Sequence, residues 1–130
     1  MNQPWLNEPL LFETTMNGLP VKAIRRNQRG HWCGYVWVPP GHPLHGKHYM
    51  NGQMPDVHGG VTFTDSIDGV GDWWIGFDCN HGFDYSPQYN PGLCQSPEDY
   101  KTLEFVKEQL DLLSKQVDQQ VQEPGMNREN

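Results

Sequence analysis

The chain has 130 residues, 16 acidic against 9 basic side chains, and a formal net charge of −7 at pH 7. That length makes one domain with a single core, and an acidic whole disfavours non-specific attachment to a nucleic-acid backbone. No run nears the ~20 apolar residues of a spanning helix, and the N-terminus lacks the basic-then-apolar pattern of a signal peptide; the expectation is a soluble cytoplasmic protein with no membrane attachment.

Hydrophobic residues make up only 35% of the chain, but five Trp, five Tyr and five Phe offset the deficit, since each aromatic buries a large area. The three cysteines, Cys33, Cys79 and Cys94, are odd in number and form no Cys-x-x-Cys pair. Free thiols in a reducing compartment fit that pattern better than a disulfide framework. The charge is uneven. Residues 14 to 55 carry Lys22, Arg25, Arg26, Arg29 and Lys47 and no acid, whereas residues 56 to 130 carry fourteen Asp or Glu against four Lys or Arg. The basic stretch could hold a small anion, or it is an ordinary solvated hairpin.

In chain order, Pro4, Asn7 and Pro9 make an irregular start. Leu10-Leu11-Phe12 is a short apolar run that could add an edge strand or cover the sheet, and Asn17-Gly18 is a strong turn signal. Residues 19 to 26 read as a strand, Asn27 to Gly30 as a turn, and residues 31 to 38 as the returning strand. Side chains alternate along a strand, so Trp32, Gly34, Val36 and Val38 share a core face and His31, Cys33, Tyr35 and Trp37 share the other. Pro39-Pro40-Gly41 stops this strand. The loop from 39 to 56 carries His42, His45, Lys47 and His48, and loops of this length are usually functional or disordered.

Residues 57 to 64 read as a third strand with Val57, Val61 and Phe63 inward and His58, Gly60 and Thr62 outward. Gly59-Gly60 in mid-strand weakens pairing and calls for a bulge or a close approach of backbone or ligand. Asp65 to Asp72 reads as a hairpin tip, and residues 73 to 81 as a fourth strand with Trp73, Ile75, Phe77 and Cys79 inward. After a Pro-, Gly- and Tyr-rich loop, Ser96, Pro97 and Asp99 open a helix as a capping box. Leu103, Val106, Leu110, Leu113 and Val117 form its apolar stripe. The architecture expected is α+β: an antiparallel sheet of four to five strands with one C-terminal helix packed on it, spanning 1–123, with 124–130 a flexible tail.

His58 with Asp78 is the pair singled out for chemistry. A hairpin closing normally sets them side by side, and a carboxylate beside an imidazole suits acid–base work or anion binding; a plain buried hydrogen-bonded pair is the structural alternative. Register decides, because a one-residue slip inverts the faces. Gly60 and Gly76 would leave a groove walled by Trp74. His81 and Asp84 lie just past the strand end, where sites gather; the alternative is that they are solvated. Candidate catalytic residues are therefore His58, Asp78 and His81. Candidate ligand contacts are Arg29, His31, Tyr35, Trp74 and Lys47, an aromatic platform with a basic rim. Cys33, Cys79, His31 and His81 are donor types that zinc prefers, but no common zinc spacing is present, so no metal ligand and no cofactor is assigned and zinc stays an open alternative.

The stretches Arg-Gly-His-Trp-Cys-Gly-Tyr-Val (29–36), Val-His-Gly-Gly-Val-Thr-Phe (57–63) and Trp-Trp-Ile-Gly-Phe-Asp-Cys-Asn-His (73–81), with Tyr-Lys-Thr-Leu-Glu-Phe-Val-Lys-Glu-Gln (100–109), resemble a family of small bacteriophage- and prophage-encoded proteins with no assigned activity. The resemblance covers about residues 29 to 113 and carries over no catalytic residue. It implies a phage accessory protein in the cytoplasm of a bacterial host. Three readings follow: capture of a small anionic, nucleotide-like ligand such as a bacterial immune signal; hydrolysis of such a ligand by a His/Asp pair; and inhibition of a host protein. Pairing of two copies through a sheet edge or the helix is also open.

Overall fold

The computed structural model describes residues 3–81, 84–87 and 99–122. Its centre is a five-stranded antiparallel sheet in the order β1-β2-β3-β5-β4. The strands are β1 (Leu11–Met16), β2 (Leu19–Ile24), β3 (Cys33–Trp37), β4 (Phe63–Asp65) and β5 (Trp74–Asp78), followed by one helix, α1 (Leu103–Gln122). The α+β arrangement expected from the sequence is the one observed. The run 10–12 opens the edge strand β1.

The alternation read from the sequence sets the two faces of the sheet. Trp32, Val36, Val38, Ile75, Phe77 and Cys79 are buried together with Val106, Leu110, Leu113 and Val117 of α1. Gly34 is what lets the helix settle there: a Cβ at this position would lie 2.6 Å from the Phe77 ring and 3.1 Å from Leu110. The first hairpin closes through Asn17 (φ 52°) and Gly18 (φ 80°), both left-handed, as a two-residue turn requires. Asn17 then reaches the helix, donating to the Asp111 carbonyl and carboxylate and to Ser114 Oγ at 2.8–3.2 Å.

Several boundaries differ from the sequence reading. The third strand expected over 57–64 is only the three residues of β4, because Gly59 (φ 70°) and Gly60 (φ 84°) turn the chain instead of extending it. A hydrogen bond from Gly60 N to Val57 O closes that turn at 2.8 Å. The helix begins at Leu103, with Thr102 Oγ1 accepting from Phe105 N at 3.3 Å. The capping residues Ser96 and Pro97, most of the loop before them, Cys94, the Val121 side chain and the tail lie outside the described residues.

A carboxylate from the irregular N-terminal segment ties the layers together. Glu8 Oε1 accepts from Trp32 Nε1 (2.9 Å) and from the Tyr100 hydroxyl (2.6 Å), and Oε2 accepts from Leu103 N (2.8 Å). The last contact places negative charge on the first turn of α1, where free N–H groups and the helix dipole favour it. Burial, and then the bond to Glu8, push the Tyr100 phenol well above its ordinary range. Beside it Arg25 is buried, with its guanidinium donating to the carbonyls of Glu8, Pro9 and Gln28. Arg25 is therefore structural and unavailable to a ligand.

The three histidines of the long loop do not converge. His48 accepts from Met50 N, and His45 lies against Trp73. His42 is buried: Nδ1 accepts from Leu44 N (2.9 Å), so the proton is on Nε2, which donates to Val117 O (2.9 Å). Burial holds its pKa below the ordinary imidazole value. The unfolded chain therefore binds a proton at this site before the folded one does. Stability from His42 is intact above about pH 6.5 and declines as pH falls below it. The urea midpoint is expected to drop between pH 7 and pH 5, and to drop less in His42→Gln. Glu8→Ala, which strips the acceptor from three donors at once, is expected to cost on the order of 3 kcal/mol in urea unfolding.

Candidate functional site

The β4–β5 register decides which residues meet. Phe63 pairs with Gly76, and it is Thr62, the residue before it, whose side chain reaches Asp78, while the Gly59–Gly60 turn takes His58 out of the strand. The carboxylate that reaches His58 is accordingly Asp84, not the Asp78 expected from a simple hairpin. His58 Nε2 lies 3.0 Å from both Asp84 oxygens. Asp78 faces elsewhere: its Oδ2 accepts from Thr62 Oγ1 (3.0 Å), its Oδ1 from Asn80 N (3.1 Å), and Oδ1 stands 3.6 Å from His81 Nε2.

Asp84 is the centre of the cluster. Its side chain is wholly shielded from solvent, and it also takes His81 N (3.0 Å), His81 Nδ1 (3.2 Å) and the Lys101 ammonium (3.2 Å). Burial opposes its charge. The hydrogen bonds from His58, from the His81 backbone and from Lys101 outweigh that and hold the carboxyl below the usual carboxylate range. Its chain position follows from a turn in which Asp84 N donates to His81 O (2.9 Å).

The helix supplies the floor. Gln109 Oε1 accepts from His58 N (2.9 Å), the Phe105 ring meets the His58 ring edge-on at 5.0 Å, and Lys101 lies 5.8 Å from the Phe105 ring centre. The two imidazoles are also edge to face, 5.6 Å apart. Gly59 makes room for them: a Cβ there would stand 2.2 Å from His81 Cε1. The glycine pair flagged in the sequence thus serves a turn and a close approach by a side chain.

One ligand atom from each of His58, His81 and Asp84 lies within 4.8 Å of the others, so the three side chains form a triad that could hold a metal ion. Of the described cysteines, neither Cys33 nor Cys79 joins the triad. Burial, with Asp78 adding to it, pushes the Cys33 thiol up to about 11, and burial pushes Cys79 higher still, so neither is an activated nucleophile.

The other candidates are dispersed. His31 is half-buried, its Nδ1 is buried without a hydrogen-bond partner, and it feels Asp78, Asp84 and His81 electrostatically. Arg29 is exposed and donates to Pro87 O at 2.8 Å, just beyond Asp84 in the chain. Tyr35 covers Gly76 and packs against Phe63 at 5.0 Å, so the Gly76 side of the expected groove is filled by its ring, while a Cβ at Gly60 would meet nothing within 4 Å among the described residues. Trp74 sits at the far end of β5 from Asp78, and Lys47 is exposed on the loop. Lys101 was absent from the sequence-derived candidates, and Asp84 was noted only beside His81 past the strand end, without an assigned role. The only sequence signal for Asp84 was its spacing from His81.

Gly59→Ala is expected to preserve the fold at a cost of about 1–2 kcal/mol for the left-handed conformation. It should also push His81 off Asp84, read as a changed imidazole environment by NMR. No protein-family model, no curated protein and no solved structure matches the chain.

Proposed function

We propose that His58, His81 and Asp84 bind a divalent transition metal, zinc by donor type, and that the protein is a small metal-dependent hydrolase of a compact anionic substrate. The observation that carries this reading is the gathering of three donors, His58 from one segment and His81 and Asp84 from another, within 4.8 Å of one another. Two imidazoles and one carboxylate leave a coordination position for water, which is the pattern of catalytic rather than structural zinc. A metal so held makes its bound water acidic enough to act as a nucleophile near neutral pH.

The chain's own groups do the rest. Without a metal, Asp84 holds His58 Nε2 and His81 Nδ1 through hydrogen bonds, which coordination of an ion among the three groups would replace. Asp78, on the far ring nitrogen of His81, stands where a second carboxylate orients a ligating imidazole. Lys101 brings a positive charge to the cluster, and Arg29 is held on Pro87 O, three residues after Asp84 in the chain. These cations support an anionic substrate, of which a nucleotide-type phosphoester is the class proposed. Resemblance of the motif stretches supports placing this chemistry in a phage accessory protein within a bacterial host.

A second reading rests on the Lys101–Asp84 contact at 3.2 Å. With Lys101 and two imidazoles on Asp84, the cluster is complete without a metal, and the histidines could capture an anion or serve as an acid–base pair. Metal analysis of the purified protein separates the two. The expected result is one zinc-class ion per chain, removable by chelation and rebound in a calorimetric titration. His58→Ala or Asp84→Ala should weaken rebinding by at least ~10-fold. A metal-free protein that takes up no zinc overturns the metal reading. Release of phosphate or nucleoside products only from the metal-loaded form supports hydrolysis; binding without turnover favours capture.

A further inference from the structure

At the opposite end of β5 from Asp78, on the face of the sheet that α1 does not cover, lies a cavity of about 350 Å³. It is lined by Glu13, Pro20, Lys22, Trp37, Asp68, Asp72 and Trp74. Trp37 and Trp74 are direct cross-strand partners and both line the cavity, which gives it an indole wall. We infer that this cavity is a binding site for a small organic cation, an alkylammonium or guanidinium group, held against the indole wall and facing the carboxylates of Glu13 and Asp68.

The charges select the ligand. Three carboxylates line the cavity against one ammonium, which disfavours an anion and leaves room for a second positive group. The Asp72 charge is fixed in place by donors from Ile67 N, Asp68 N and Trp74 Nε1 at 2.7–3.2 Å. Lys22 already shows what the site holds. Its ammonium lies 3.2 Å from Glu13 Oε2, 3.0 Å from Asp68 Oδ1, and 5.2 Å from the Trp74 ring centre. That is the geometry of a cation held by a π face and a pair of carboxylates. Lys22 therefore acts as an internal competitor, and a ligand cation takes its place or sits beside it against Trp37. The volume suits a small molecule, as such pockets begin at about 300 Å³.

The test is a titration of isotope-labelled full-length protein with tetramethylammonium at constant ionic strength, following the Trp37 and Trp74 indole N–H signals. The neutral isostere 2,2-dimethylpropan-1-ol is the control. Saturable shifts with the cation and weaker ones with the alcohol are expected. Lys22→Met keeps the apolar stem and removes the competing charge, and should tighten the cation by at least ~3-fold. Asp68→Asn, at an exposed position, should weaken it by a similar factor. Equal response to the alcohol, no saturable shift, or unchanged affinity in Lys22→Met overturns the assignment.

Discussion

Glu8 is the contact on which the layers depend. Its carboxylate lies before the first strand, yet it meets the Trp32 indole next to β3, the Tyr100 hydroxyl, and the first amide of α1. Three donors that burial would otherwise leave unpaired share one acceptor group, and such groups are costly to leave unsatisfied. The same contact neutralises part of the free N–H charge at the helix start. Arg25, spread over backbone carbonyls and lying 5.0 Å from the Trp32 ring, closes the N-terminal segment onto this point. The low aliphatic content of the chain is thus offset by aromatic residues, of which Trp32 and Tyr100 pair their polar ends with Glu8.

Asp84 repeats the device at the other functional level. A wholly shielded carboxylate needs several donors to remain charged, and here it collects two imidazoles, a backbone amide and an ammonium. The gathering is what makes the cluster chemically competent: the same electron pairs that accept protons can accept a metal. The turn at Gly59-Gly60 and the floor formed by Phe105 and Gln109 hold His58 in place, so the site rests on the packing of α1 as much as on the sheet.

The sheet also separates two electrostatic environments. One end of β5 carries Asp78 beside the histidine cluster; the other carries Trp74 beside Lys22, Glu13, Asp68 and Asp72. An aromatic platform with a basic rim, as the composition of the first hairpin suggested, does not form. Arg25 is consumed by structure, Trp32 is core, and the Trp74 wall faces more acid than base.

What the sequence determined by itself is the local part. Strand alternation placed Trp32, Val36 and Val38 opposite Tyr35 and Trp37, the spacing of Leu103, Val106, Leu110, Leu113 and Val117 drew the helix face, and Asn17-Gly18 marked the first turn; all are consequences of backbone period and dihedral preference within a few residues. His58, His81 and the need for an explanation at Gly59 were visible for the same reason. The partner of His58 was not, because the left-handed glycines turn the chain before β4 and take His58 out of the strand, to Asp84. Nor was the Glu8 contact with Leu103, 95 residues away, or the meeting of Trp74 with Lys22. Those depend on how the strands stack and where the helix lands. Tertiary packing alone decides them, since pairing across the fold is set by burial and charge satisfaction over distances that no local pattern encodes.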